Sequence, residues 1–143
     1  VLEQVLERYP AEVKIVFKNF PLRNHKFAMK AAAAALAAES RGEFWKFHDL
    51  LFQNYNRIND ELIRTIALGL GFDAKEFEVK MRDPEIQARI RQDMRDGSQA
   101  GVRGTPTIFV NGKRLNDRSL KGFQTAVDRE LEKLERKKVN QGS

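Results

Sequence analysis

Val1, Leu2, Val5, Leu6 and Tyr9 recur at helical spacing with Glu3, Glu7 and Arg8 between them, so residues 1–9 are predicted to be helical, ending at Pro10. The pattern is already running at residue 1 with no capping Ser, Thr, Asp or Asn ahead of it, which predicts a chain truncated within a helix. Val13, Ile15 and Phe17 then alternate with Lys14, Val16 and Lys18, the period of a strand over 13–18. Val16 interrupts the polar face and predicts partial burial on both sides. Phe20-Pro21-Leu22 reads as the turn out of that strand.

The next eighty or so residues are helical in pattern. Residues 26–39 include the alanine run Ala31–Ala35, which favours helix and lets a neighbouring helix approach closely. Residues 43–55 carry Phe44, Trp45, Phe47, Leu50, Leu51, Phe52 and Tyr55, an arc wide enough to predict the centre of a helical core. Asn59 or Asp60 caps the following helix, which Gly71 ends. Asp73 with Glu76 resembles a capping box, and Asp83-Pro84 is a cap followed by a first-turn proline. Gly97 and Gly101 are expected to release the helix bearing Ile86, Ile90 and Met94 into a loop.

Gly104-Thr105-Pro106 leads into Thr107-Ile108-Phe109-Val110 and the turn pair Asn111-Gly112, a strong hairpin signal. Proline cannot donate to a ladder, so it belongs at a strand's first residue or on an edge. Two readings of Pro106 stand side by side. A trans proline opens an ordinary hairpin strand, whereas a cis bond turns the backbone of Thr105 outward and frees its N–H and C=O for a visiting peptide. Ser119 caps a last helix striped by Leu120, Phe123, Val127, Leu131 and Leu134, and Asn140–Ser143 reads as a frayed end. The element order is that of an α/β domain split by a helical insertion.

Composition narrows the chemistry. The 143 residues suit one domain with a subdomain, and their net charge of +6 gives a mild attraction to anions. No apolar run approaches the roughly 18–20 residues of a membrane span, and no signal-peptide pattern opens the chain. Arg136-Lys137-Lys138 reads as a solvated helix C-terminus, so no nucleic-acid partner is expected. With no cysteine, thiolate zinc sites and cysteine nucleophiles are excluded for this chain. His25 and His48, with Asp49 or Glu43 nearby, lack a ligand spacing and are expected to be structural, so no metal is predicted. Trp45, Phe44 and Phe47 are read as core in preference to a peptide-binding surface. Ser40, Ser98 and Ser119 show no hydrolase pattern, and no phosphate-binding glycine loop is present.

Four segments carry a resemblance: VKIVFKNFPL (13–22), His25 with the alanine-rich helix, EFWKFHDLLF (43–52) and GVRGTPTIFVNG (101–112). In this order the chain resembles the DsbA-like thiol:disulfide oxidoreductases. That implies an α/β thioredoxin-like fold with an inserted α-helical subdomain. Residues 1–22 and 101–143 would form the incomplete thioredoxin-like portion, lacking the first, central strand, and 23–100 the insertion. The resemblance implies a cis-proline loop in which Thr105 and Pro106 face the substrate, with Gly104 leading into it; Arg103 beside the loop is read either as a further substrate-binding residue, steering acidic or peptide-carbonyl groups, or as a solvated arginine. It places a Cys-X-X-Cys motif just before Val1, leaving no catalytic residue here and a redox-inactive chain. It implies no cofactor, protein or peptide thiol/disulfide substrates, a redox partner protein and a periplasmic or other extracytoplasmic setting. His48 would line the redox face. The missing strand would leave a gap of about 9–10 Å between 13–18 and 107–110. The segment would be supplied from outside this sequence, or a partner would fill the gap in a strand-exchanged or strand-complemented dimer, or the two strands would collapse together. A non-catalytic polypeptide-binding chaperone or adaptor is the alternative. Glutathione transferase-like chemistry is disfavoured because there the helical domain follows the thioredoxin domain, and here the helices interrupt it.

Overall fold

The computed structural model describes residues 1–141. Its elements are α1 (Leu2–Arg8), α2 (Ala28–Glu39), α3 (Phe44–Gln53), α4 (Asp60–Gly69), α5 (Ala74–Met81), α6 (Pro84–Gln99), β1 (Phe109–Val110), β2 (Lys113–Arg114) and α7 (Leu120–Gln141), with a single 3-10 turn at Tyr55–Arg57. They divide into two compact units, Lys18–Gly104 and Val1–Phe17 together with the chain from Thr105 onward.

The Lys18–Gly104 unit is built around α2. Ala33 to Ala38 are all buried, and the small side chains let α3, α5 and α6 pack against one helix. Phe47, Leu51, Ile63, Ile66, Phe77, Ile86 and Ile90 complete the core, with Phe47 stacked on Phe77 at 5.3 Å between ring centroids. Each fully buried side chain of this size contributes about 1.5–3 kcal/mol. Side-chain caps start three of the helices. Asn59 accepts from the Leu62 N–H, Asp73 from Lys75 and Glu76, and Asp83 from Glu85 ahead of Pro84. The Glu85 N–H, then the Lys80 ammonium, hold the Asp83 carboxyl below its ordinary range.

Only part of the wide apolar arc of α3 reaches this core. Phe47 and Leu51 are buried and Phe44 and Leu50 pack against them, whereas Trp45 is 47% exposed, Phe52 64% and Tyr55 75%. A helix packed along one side hides a limited stripe, and these rings lie beyond it. They cover one another instead: His48 stacks on Phe52 at 4.4 Å and meets the Trp45 ring edgewise at 5.5 Å.

Gly97 also differs from expectation, since α6 runs through it to Gln99. A Cβ at residue 97 would lie 2.8 Å from the Phe20 ring, so glycine is there for close packing. Gly101, at φ +76°, follows the helix end.

The same region holds a buried polar pair that composition gives no hint of. Asn19 is 3% exposed and Asp93 6%. Asp93 Oδ2 accepts from both the backbone N–H and the side-chain amide of Asn19, each at 2.9 Å. Its Oδ1 lies 3.1 Å from the Lys18 ammonium, which also donates to Asp96 at 2.8 Å. Bonds to Asp96 and then Asp93 raise the Lys18 pKa, and Lys18 in turn lowers that of Asp96. A buried carboxylate is tolerable only when satisfied in this way.

In the other unit, Val5, Tyr9, Phe123 and Val127 form a small core flanked by Val13, Ile108, Val110, Leu115, Leu120 and Leu131. The Tyr9 hydroxyl donates to Asp128 at 2.7 Å, fastening the end of α1 to α7 and raising the Tyr9 pKa. Leu134, the last position of the α7 stripe, is half exposed. Of the expected frayed end, Asn140 and Gln141 are helical, and residues 142–143 lie outside the described residues.

The strand expected over 13–18 is not formed. The alternation is present, with Val13, Ile15 and Phe17 partly buried and Lys14, Val16 and Lys18 exposed, but among the described residues the sheet consists of β1 and β2. Alternation selects a face; a strand also needs a hydrogen-bonded neighbour. Val16 is 68% exposed, so the second buried face is absent, and 13–18 has not collapsed onto β1 in a common ladder.

Gly97→Ala should destabilise the protein by about 1–3 kcal/mol through its clash with Phe20. Gly69→Ala, where a Cβ meets nothing within 4 Å, should be neutral or slightly stabilising. Urea denaturation of both variants measures the contrast.

Candidate functional site

The site begins where α6 ends. The Val102 N–H donates to the Gly97 carbonyl at 2.8 Å, closing the helix and starting the run Arg103–Pro106. Arg103, Thr105 and Pro106 are exposed and Gly104 is half-buried. A Cβ at Gly104 would meet nothing within 4 Å. The Thr105–Pro106 peptide bond is cis.

The chain then enters the hairpin. Asn111 (φ 46°) and Gly112 (φ 77°) form a two-residue turn with both φ values positive, the arrangement that matches strand twist and favours Asn-Gly. It pairs Phe109 with Arg114 and Val110 with Lys113. The Leu115 N–H donates to the Ile108 carbonyl at 2.9 Å, carrying the register one step toward the proline.

Two side-chain anchors fix this hairpin. Glu130 of α7 pairs with Lys133 and with Lys113 at 3.1 Å, and accepts from the Asn111 amide at 3.5 Å. Lys133, then Lys113, hold the Glu130 carboxyl down at about 2 from its ordinary 4.5. At the other end, Arg118 Nη1 donates to the Pro106 carbonyl at 3.1 Å. The approach to α7 is tightly built. The Ser119 N–H donates to Asp117 Oδ1 at 2.9 Å, which lowers the Asp117 pKa, and the Gly122 N–H donates to Ser119 Oγ at 3.1 Å. A Cβ at Gly122 would lie 2.2 Å from the Asp117 carbonyl oxygen, so only glycine admits this close approach.

Arg103, Gly104, Thr105 and Pro106 therefore form one continuous loop, and Arg118 is the contact that residue reading missed. No spacing motif links residues twelve apart, but the Asn-Gly turn could have: extending the register four residues beyond the Phe109–Arg114 pair puts Arg118 opposite Thr105. The histidines stand apart from this loop in sequence. His25 is exposed, and His48 Nδ1 lies 3.1 Å from Asp49 Oδ1. Among the described residues no group of three or more His, Asp or Glu side chains comes together around a point where a metal could bind.

Known proteins give the geometry a context. A family model for the DSBA-like thioredoxin domain matches residues 1–128. The probable disulfide bond formation protein D of Bacillus anthracis is 28% identical over 143 residues, covering 93% of this chain and 65% of its own. The Na(+)/H(+) antiporter NhaA 3 of Salinispora tropica is 37% identical over 103 residues, 71% of this chain but 16% of the antiporter. This chain thus spans a small part of the antiporters it matches. Among the described residues no helix is long and apolar enough to cross a membrane. A thioredoxin-like oxidoreductase from Silicibacter pomeroyi superposes with a TM-score of 0.79 at 27% identity, covering 92% of this chain and 75% of that one.

The Glu130 cluster makes stability pH-dependent. Because its folded pKa is depressed, its contribution is present above 4.5 and is lost as pH falls toward about 2. The melting temperature of the unaltered chain should therefore exceed that of Glu130→Gln at neutral pH, with the difference closing across that window. Paired thermal melts by circular dichroism check this.

Proposed function

The chain belongs to the DSBA-like thioredoxin domain family, a thioredoxin-like fold whose relatives include disulfide oxidoreductases, and on that premise we propose that it is the substrate-holding part of a thiol:disulfide oxidoreductase. The observation that carries this reading is the exposed Thr105–Pro106 loop with a hairpin strand after it. Such a loop offers Thr105 backbone groups to an extended polypeptide, as in strand addition. Arg103 and Gly104 lead into it, and Pro106, having no N–H, leaves Thr105 as the donor.

Disulfide exchange needs a thiolate, and this chain has no cysteine. The reaction belongs to a protein carrying the family's Cys-X-X-Cys segment ahead of Val1. There one cysteine attacks the substrate disulfide, expelling a substrate thiolate, and the second attacks the mixed disulfide and releases the substrate. Run in reverse, the same steps pass a disulfide to a substrate dithiol. The setting is extracytoplasmic, where protein disulfides persist. A non-catalytic polypeptide-binding role is the second reading, favoured by the absence of cysteine alongside an exposed loop.

The native protein isolated from its source should contain a titratable pair of thiols after reduction and accelerate insulin reduction by dithiothreitol. The cysteine-free chain should add nothing to the rate with dithiothreitol alone. A thiol-free native protein of this length would overturn the redox reading in favour of the binding one. In either case a labelled unstructured peptide should bind this chain, and Thr105→Pro, which removes a backbone donor, should abolish binding by fluorescence anisotropy.

A further inference from the structure

We propose that Arg118 is a positioning and specificity residue of the Thr105–Pro106 loop, holding the loop in place and favouring polypeptides that carry an acidic side chain next to the segment lying on Thr105. This rests on the peptide-binding reading of the loop. A guanidinium presents five N–H donors in a rigid fork. Arg118 commits one to the Pro106 carbonyl at 3.1 Å while its side chain is exposed, so the rest of the fork faces solvent beside the loop.

The residue does not reach the loop by chance of a flexible side chain. Its backbone is held between Asp117, which packs against Gly122, and Ser119, whose hydroxyl caps the first turn of α7. The hairpin pairs Phe109 with Arg114 and carries a further bond from the Leu115 N–H to the Ile108 carbonyl, returning the chain toward Pro106, whose carbonyl Arg118 reaches. A donor whose backbone is already ordered loses less freedom when it captures a ligand.

Local charge selects the ligand. Asp117, the acidic neighbour in sequence, has its carboxylate bound to the Ser119 N–H. Lys121 lies three residues beyond Arg118. Asp117 also interacts electrostatically with Lys121, so that pair offsets itself and the Arg118 guanidinium is left as the cation beside Thr105–Pro106, where a carboxylate can accept two bonds from its fork.

Two fluorescein-labelled, cysteine-free peptides, identical except that two aspartates in one are asparagines in the other, provide the test by fluorescence anisotropy. The unaltered chain should bind the aspartate peptide about three- to fivefold more tightly, the range for an exposed charge pair, and added salt should erode the ratio. Arg118→Gln should bring the ratio to about one and weaken both peptides. Arg118→Lys should retain part of the charge preference while losing affinity for both, because an ammonium cannot hold carbonyl and carboxylate in one plane. A role confined to fold stability would weaken both peptides and leave the ratio unchanged. A ratio near one in the unaltered chain, or one that survives in Arg118→Gln, overturns the proposal while binding that Thr105→Pro abolishes leaves the loop reading intact. Binding of neither peptide overturns both. Where Arg118→Gln fails to fold, the reduced ratio of Arg118→Lys carries the same test, and a ratio near one in the unaltered chain overturns the proposal without any variant.

Discussion

A two-residue turn sets the geometry of the candidate site. Asn111 and Gly112 both take positive φ, which only a few residue types do without strain, and the consequence is a fixed pairing of the two hairpin arms. Register in a hairpin leaves no half measures, since a slip by one residue exchanges the two faces. With Phe109 opposite Arg114, the apolar Ile108, Val110 and Leu115 join the small core beneath α7, and Arg118 is carried back to Pro106. Glu130 reinforces the pairing by drawing Asn111, Lys113 and Lys133 to a single carboxylate.

The Lys18–Gly104 unit follows a different logic. Its organiser is a helix segment buried on every side, Ala33 to Ala38, all alanine but for Leu36, around which larger side chains from neighbouring helices are laid. Small residues at the centre permit short interhelical distances, and Phe47, Phe77 and Ile90 fill the space around them. The Asn19–Asp93 pair is the unit's polar exception. It works because both Asn19 donors and the Lys18 ammonium are in place, so the buried carboxylate is not left unsatisfied.

These features are the ones on which the proposed substrate-holding role rests. The loop is exposed at Thr105 and Pro106 and anchored by the Arg118 guanidinium, which donates to the Pro106 carbonyl. The chain belongs to the DSBA-like thioredoxin domain family, and much of it is also similar to a small part of far longer antiporter chains.

Much was legible in local sequence because caps and turns are local physics. Asn59, Asp73, Asp83 and Ser119 bind N–H groups two or three residues away, and Asn111-Gly112 is its own turn. The helices, the hairpin and the loop from Arg103 to Pro106 follow from such signals. What local pattern could not decide was burial and pairing, which depend on what arrives from elsewhere. Residues 13–18 have the alternation of a strand and no ladder, because the hydrogen bonds of a strand belong to its neighbour. The rings of α3 have the composition of a core and lie largely outside one, because burial is set by the opposing surface. Gly97, Gly122, Asp93 and Arg118 look unremarkable in sequence, and each acquires its role from a contact that only the folded chain creates: a ring at 97, a carbonyl at 122, an asparagine at 93 and the proline carbonyl at 118.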